Sequence, residues 1–207
     1  MAVRFERHFM KIISSNFFKA ITFFDGRNVI NLPEIAFIGR SNVGKSSAIN
    51  RLLMQKVART SSTPGRTRAI NLYRVECEIK NTKRSFIISD FPGFGYSKVS
   101  REIYQGWQQM IESYIVRNAN IRRIIWLYDV RREFDELDKM LIEWLQDNSL
   151  PFAFVVTKID KVGRNETASK KATFSKVFGP ENVYVFSAKS GDGRRELLSH
   201  ILNIIEA

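Results

Sequence analysis

Cysteine is nearly absent from this chain of 207 residues, which contains only Cys77. A single cysteine cannot form an intramolecular disulfide, and its strand-like surroundings predict a packing role in a reducing compartment. Long apolar runs are also missing, since none approaches the roughly 18 residues that cross a bilayer. The N-terminal stretch lacks the apolar core and cleavage site of a secretory signal. These absences predict a cytoplasmic protein without stable membrane insertion.

Acidic residues are outnumbered: 21 Asp and Glu stand against 33 Lys and Arg, which leaves a net charge of +12. A nucleotide site uses about one or two of these cations. The excess therefore favours a polyanionic partner, nucleic acid ahead of anionic membrane, with a uniformly basic solvated surface as the alternative. Adjacent basic pairs are candidate phosphate contacts, although a solvated face is the simpler explanation of each: Arg122-Arg123, Arg131-Arg132, Lys170-Lys171 and Arg194-Arg195.

Strand-like and helix-like segments alternate after residue 33, which is typical of a parallel sheet covered by helices. Two strand-like segments follow one another directly and predict one antiparallel pair. Residues 1–33 are expected to form an extension, a helix plus a connecting strand or loop, before a domain over 34–207. Strand candidates are 34–38, 71–79, 84–89, 122–129, 151–156 and 183–186, and helix candidates are 45–55, 102–117, 135–147, 166–178 and 193–206.

A phosphate-binding motif lies between the strand at 34–38 and the helix at 45–55. Residues 39–46 match the pattern G-x-x-x-x-G-K-[ST]. Its glycines let the backbone wrap around phosphates, and the helix N-terminus attracts the anion. Lys45 is expected to reach the β- and γ-phosphates, and Ser46 to bind Mg²⁺. The predicted phosphate-loop contacts are Gly39, Arg40, Ser41, Asn42, Val43, Gly44, Lys45 and Ser46.

A second candidate segment, Asp90-Phe91-Pro92-Gly93, follows the apolar run at 86–88 and so lies at the carboxyl end of a strand. Ligands of open parallel sheets bind at that edge. Asp90 is expected to hold Mg²⁺ through water, and the Gly93 N–H to sense a γ-phosphate. Alone, this segment is a common turn sequence, and its spacing from Ser46 gives it weight.

Two further segments at strand ends predict a base-binding pocket. Thr157-Lys158-Ile159-Asp160 follows the apolar strand 152–156, and Phe186-Ser187-Ala188 follows 183–185. The Asp160 carboxylate can accept hydrogen bonds from the N1–H and exocyclic amine of guanine, a donor pair that adenine lacks. The Lys158 stem is expected over the purine face and the Ala188 N–H at the guanine carbonyl oxygen.

Together, these motifs resemble those of the EngB family of ribosome-biogenesis GTP-binding proteins, over about residues 30–206. The resemblance implies a Ras-like α/β fold, with a six-stranded, mostly parallel sheet, one antiparallel strand and five helices. It implies GTP and GDP as ligands with Mg²⁺, and a monomer that associates with the large ribosomal subunit through rRNA. It also assigns a switch segment, with Thr67 as a second Mg²⁺ ligand: Gly65, Arg66, Thr67, Arg68 and Ala69.

The chain departs from the patterns of related GTPases at three places. Arg68 stands where the family pattern has Gln, which raises the charge of the switch segment. Thr157 replaces the Asn of the wider group. Phe94 replaces the Gln that orients the attacking water in Ras-like enzymes, so Lys45, Thr67 and Gly93 remain as the catalytic set and slow hydrolysis is expected. Arg66 and Arg68 are candidates for an arginine finger only by their proximity in sequence.

Three alternatives stay open at this stage. Asn42 either helps to hold K⁺, as in related GTPases, or simply favours a turn. A metabolic P-loop kinase would tolerate adenine, which Asp160 argues against. A membrane-associated GTPase would use the basic, Phe-rich N-terminus, whose aromatic residues are Phe5, Phe9, Phe17, Phe18, Phe23 and Phe24.

Overall fold

The computed structural model describes residues 11–24, 26, 30–59, 69–94, 109 and 111–206. Their core is a seven-stranded mixed sheet with the strand order β1-β3-β4-β2-β5-β6-β7. Strands β2, β4, β5, β6 and β7 run parallel, and β1–β3 and β3–β4 are antiparallel pairs. The strands are β1 (Lys11–Ile21), β2 (Glu34–Gly39), β3 (Ile70–Ile79), β4 (Thr82–Asp90), β5 (Ile121–Asp129), β6 (Phe152–Thr157) and β7 (Val183–Phe186).

Five helices cover the two faces of the sheet, as predicted. The third of them begins with a capping box, in which the Asp135 side chain accepts from the Asp138 N–H and the Asp138 side chain accepts from the Asp135 N–H, both at 3.2 Å. The helices are α1 (Lys45–Leu53), α2 (described at 109 and 111–117), α3 (Glu136–Asp147), α4 (Arg164–Phe178) and α5 (Arg194–Glu206), with short 3₁₀ turns at Ile159–Lys161 and Pro180–Asn182.

The sheet has one strand more than predicted, because the extension contributes β1. The described part of the extension contains this strand and no helix, and a helix elsewhere in the extension stays a prediction. Strand β1 pairs with β3 along its length and covers an edge that would otherwise present unpaired backbone groups. Its register shifts between Ile12 and Ser14 and again between Phe17 and Lys19. These two irregularities break the apolar alternation by which a strand is recognised in a sequence.

The hydrophobic core forms two layers, one on each side of the sheet. One layer packs α1 and α5 against the sheet and includes Cys77, whose thiol pKa is raised by burial to about 11. This burial confirms the packing role that we predicted for Cys77. The other layer packs α2, α3 and α4 and surrounds the fully buried Trp126 with aromatic rings. No helix among the described residues is long and apolar enough to cross a membrane.

A partly buried histidine on α5 makes the stability of this fold dependent on pH. His200 Nδ1 lies 2.8 Å from the Tyr184 hydroxyl of β7. Burial, and to a lesser degree the nearby Arg123, lowers the pKa of His200 from 6.5 to about 4. The folded state thus holds the ring neutral, and stability present above pH 6.5 is lost as the pH falls towards 4.

We predict that the H200Q variant loses less stability on acidification than the unmodified chain. Between pH 7 and pH 4.5 the difference is expected to be about 1–2 kcal/mol, after allowance for solvent screening of this partly exposed group. Urea unfolding at both pH values measures it. Equal losses of unfolding free energy in the two proteins would contradict the role of His200.

Candidate functional site

The phosphate loop connects β2 to α1, at the edge where the parallel strands end. Gly44 precedes the helix with φ 102°, a backbone conformation that residues other than glycine rarely adopt. Asn42 has a left-handed φ of 61°. The first turn of α1 contains no acidic residue, so its free N–H groups suit a bound anion. The predicted strand, loop and helix are therefore confirmed, and the loop has the geometry of a phosphate cradle.

Lys45, Ser46 and Asp90 meet beneath this loop. The Ser46 hydroxyl donates to Asp90 Oδ2 at 3.0 Å, and the Lys45 ammonium donates to the Gly39 carbonyl oxygen at 3.2 Å. Burial lowers the pKa of Lys45 and raises that of Asp90, and each charge partly offsets the effect on the other. The sequence predicted Lys45 and Ser46 on one element and Asp90 on another, and the fold brings the three into one largely buried cluster.

The segment after Asp90 lies directly on the phosphate loop. The Ser41 N–H donates to the Phe94 carbonyl oxygen at 3.1 Å, and the Phe94 N–H donates to the Gly39 carbonyl oxygen at 3.4 Å. Gly93 fits closely here, since a Cβ at this position would come within 2.6 Å of Ser41 Cα. In this structure, the Ser41 N–H of the phosphate loop is therefore bonded to another part of the protein.

The residues predicted to bind the base form a connected group at the ends of β6 and β7. The Ser187 hydroxyl donates to Asp160 Oδ1 at 2.7 Å and holds the pKa of that carboxyl below its usual value. Ser187 is fully buried, whereas Ala188 is partly exposed. The Thr157 hydroxyl lies 3.3 Å from the Val43 carbonyl oxygen and 3.1 Å from that of Tyr128. Thr157 therefore joins the phosphate loop to the base pocket.

Lys158 is held across the phosphate loop by a residue that sequence reasoning missed. Its ammonium group donates to the Asn42 carbonyl oxygen at 2.6 Å and pairs with Asp129 Oδ2 at 2.9 Å. Burial raises the pKa of Asp129, but hydrogen bonds from Arg131 and Lys158 outweigh it and keep the carboxylate charged. Asp129 is the last residue of β5 and lies at the same edge of the sheet. An acidic residue at the end of an apolar strand was therefore the sequence signal that could have identified it.

Arg40 is directed away from the loop that contains it. Its guanidinium pairs with Asp135, the first residue of the α3 capping box, at 2.5 Å. Arg132 donates to the same carboxylate at 2.9 Å. In this arrangement the Arg40 side chain ties the phosphate loop to α3, and only its backbone belongs to the phosphate cradle.

Not every predicted residue falls within the described part of the chain. Ala69 lies immediately before β3, while Gly65, Arg66, Thr67 and Arg68 lie outside the described residues. The role of Thr67 as a Mg²⁺ ligand therefore stays a prediction. The described residues contain no group of three or more His, Cys, Asp and Glu side chains that suits a metal. The pair formed by Ser46 and Asp90 does fit a Mg²⁺ that takes most ligands from phosphate and water.

Most side chains of the four basic pairs bond to other residues of the protein. In each pair, at least one member bonds another residue of the chain: Arg123 approaches the Phe152 carbonyl, Arg131 and Arg132 bind acidic side chains, Lys170 bonds Glu133, and Arg194 bonds the last turn of α1. Of the remaining members, Arg122, Lys171 and Arg195 are exposed. These contacts weaken the interpretation of the pairs as phosphate contacts.

Comparison with known proteins identifies the family. Residues 34–158 match the family model described as "50S ribosome-binding GTPase". The probable GTP-binding protein EngB of Aquifex aeolicus (strain VF5) is 40% identical over 183 residues, which cover 88% of this chain and 96% of that protein. Its counterpart in Syntrophus aciditrophicus (strain SB) is 39% identical over 194 residues, which cover 93% of this chain and 95% of that protein.

Solved structures agree with this result. A crystal structure of a probable GTP-binding protein engB has 28% identity and a TM-score of 0.63, covering 84% of this chain and 98% of that one. Era in complex with MgGDPNP and part of 16S ribosomal RNA has 24% identity and a TM-score of 0.68, covering 83% of this chain and 56% of that one, and shows the shared fold. From its motifs, its site and these relatives, the chain belongs to the EngB family of GTP-binding proteins.

Proposed function

We propose that this protein is a cytoplasmic guanine-nucleotide switch with slow intrinsic GTP hydrolysis. The observation that carries the proposal is the arrangement of two polar pairs at one edge of the sheet. Asp160 with Ser187 suits the guanine base, and Ser46 with Asp90 suits a phosphate-bound Mg²⁺. Lys45 lies beside the second pair and would hold the β- and γ-phosphates. When bound, Mg²⁺ would neutralise charge on those phosphates.

Slow hydrolysis follows from the residue that comes after Gly93. Phe94 has no side-chain group that can hydrogen-bond a water molecule, and its backbone bonds the phosphate loop in this structure. We propose that binding of the triphosphate displaces this segment and orders the stretches 56–69 and 90–101, with Thr67 contributing to the metal. Hydrolysis would release both stretches.

The proposed partner is the large ribosomal subunit, contacted through rRNA. Membership of a family described as 50S ribosome-binding and the net charge of +12 both support it. The protein loaded with a non-hydrolysable GTP analogue is expected to cosediment with large subunits or their precursors, and the GDP-loaded protein to do so less. Absence of the protein from those fractions in both nucleotide states would contradict the proposal.

Asn42 supports a separate prediction about monovalent cations. Its left-handed φ of 61° is consistent with a residue that only favours a turn. Its position in the phosphate loop is equally consistent with a residue that helps to hold K⁺. If Asn42 helps to hold K⁺, GTP turnover rises by about 10-fold or more in KCl over NaCl at equal ionic strength, because the cation replaces an arginine finger. Measurement of phosphate release in both salts decides between them, and equal rates would remove the K⁺ role.

A further inference from the structure

An arginine of α1 lies against the loop that contains two of the residues predicted to bind the base. We call residues 187–193, between β7 and α5, the base loop. The Arg51 Nη2 group donates to the Ser190 carbonyl oxygen at 2.7 Å and to the Lys189 carbonyl oxygen at 3.3 Å. A Cβ placed on Gly191 would come within 2.8 Å of the same nitrogen. The guanidinium therefore contacts the backbone of the base loop directly.

Within the base loop, hydrogen bonds connect the part that Arg51 holds to the groups predicted to bind guanine. The Ser190 N–H donates to the Ser187 hydroxyl oxygen at 3.1 Å, and that hydroxyl donates to Asp160 Oδ1 at 2.7 Å. The Ser187 carbonyl oxygen also accepts from the loop, so its peptide bond with Ala188 is fixed from the same side. The position of Ser190 is therefore linked to the Asp160 carboxylate and to the Ala188 N–H.

A second arginine connects the same parts of the protein from α5. The Arg194 Nε group donates to the Arg51 carbonyl oxygen at 3.1 Å and to the Leu52 carbonyl oxygen at 2.9 Å. A cation is favoured at this position, because the carbonyl groups in the last turn of a helix lack partners. The backbone N–H of Arg194 donates to the Gly191 carbonyl oxygen at 3.2 Å. Two arginines therefore connect α1 to the base loop, one from each side.

Stabilisation of the fold is a poor explanation of Arg51. In the described part of the chain, the side-chain hydrogen bonds of both arginines go only to backbone carbonyl oxygens, and the buried Arg51 Nε has no partner. Burial and the charge of Arg51 lower the pKa of Arg194. A buried donor without a partner and two like charges close together both cost stability. The contact with the base loop explains the placement of Arg51 better.

We propose that Arg51 is a positioning residue for the guanine base, which holds the base loop at a fixed distance from the phosphate cradle. The inference rests on the proposed guanine-nucleotide site. Helix α1 begins at Lys45 in the cradle and has Arg51 in its last turn, so one rigid element determines this distance. The base and the phosphates of a nucleotide are joined covalently. A loop already held at the matching distance loses less freedom on binding.

The test compares the unmodified chain with the R51M variant, which keeps the apolar stem and removes the donors. The matched control is R195M, which removes the same charge from an exposed side chain of α5. Each protein is titrated with GDP and with the 5′-diphosphate of 2-aminopurine riboside. This nucleotide keeps the amino group of guanine but lacks the carbonyl oxygen to which the Ala188 N–H would donate.

R51M is expected to bind GDP about 10-fold more weakly than the unmodified chain, because the donor that holds the base loop is lost. Its affinity for the 2-aminopurine nucleotide is expected to stay within about threefold, and R195M to bind both nucleotides within about twofold of the unmodified chain. Circular dichroism checks folding. If R51M does not fold, R51Q, whose shorter side chain also loses the contact, replaces it with the same expected results.

Two results would overturn the role of Arg51. One is undiminished GDP binding by the folded variant, and the other is an equal loss of affinity for both nucleotides, as expected of a residue that only stabilises the fold. The unmodified chain separates this inference from the proposed function. If it prefers GDP and the variant keeps that preference in full, the guanine site stands and the role of Arg51 is wrong. If the unmodified chain binds both nucleotides equally well, the proposed guanine site fails and the inference fails with it.

Discussion

Replacement of Asp160 by Asn is expected to lower the affinity for GDP by about 100-fold or more. The variant would leave one hydrogen-bond donor of the bound guanine without an acceptor, and an unpaired buried donor is costly. The carboxylate offers two acceptors to the N1–H and the amino group of guanine, whereas an amide offers one acceptor and one donor. The same change is expected to favour xanthosine diphosphate, because xanthine has a carbonyl oxygen where guanine has its amino group.

The structure makes Asp160 a clean position for this test. Its only hydrogen bond from another side chain comes from the Ser187 hydroxyl, among the described residues, and the amide oxygen of Asn can still accept it. The matched control is D192N, which changes an acid on the loop after β7 that accepts from the Ser190 hydroxyl. Isothermal titration with GDP and xanthosine diphosphate measures both variants. A D160N variant that binds GDP within threefold of the unmodified chain would contradict the assignment of Asp160 to the base.

Replacement of Lys45 by Ala is expected to lower the affinity for GTP by about 100-fold or more, since hydrogen bonds between charged groups in a buried site are the strong ones. Lys45 is the buried cation of the phosphate cradle, and Asp90 is the buried anion beside it. Without the ammonium group, the negative charge of Asp90 would face the phosphates directly. The loss is therefore expected to be larger for GTP than for GDP.

Equilibrium binding of a fluorescent GTP analogue, with circular dichroism as the check on folding, measures this effect. The matched control is K176A, because Lys176 is an exposed lysine of α4. The control should bind as the unmodified chain does. If a folded K45A variant bound GTP as tightly as the unmodified chain does, the phosphates would have to bind elsewhere.

The site was largely predictable because each of its parts is local in sequence. A glycine loop between a strand and a helix, or an acid at the end of an apolar strand, is recognisable from a few neighbouring residues. The parallel sheet then brings the strand ends together, so Asp90, Asp160 and Ser187 reach one edge without any long-range information.

The missed features depend on contacts between distant residues. Strand β1 is irregular in its own sequence and becomes a strand by pairing with β3, whose partner residues lie 49 (Ile21 with Ile70) to 67 (Lys11 with Glu78) positions away. The role of Asp129 follows from its ion pair with Lys158, which is distant in sequence. The Arg40 side chain is directed away from its loop because it pairs with Asp135. No pattern within a short window contains such pairs.

The contact between Phe94 and the phosphate loop offers a physical basis for the proposed switch. The Ser41 N–H donates to the Phe94 carbonyl oxygen, and we propose that a bound γ-phosphate competes with this backbone contact. Such competition would link the segment 90–93 to the nucleotide state without a catalytic glutamine.

We propose that this site selects guanine, and a titration of the unmodified chain with GDP and with ADP tests that selectivity most directly. We predict saturable binding of GDP and an affinity for ADP that is lower by about 100-fold or more, since adenine has no donor pair for Asp160. Equal affinities for the two nucleotides would contradict the claim.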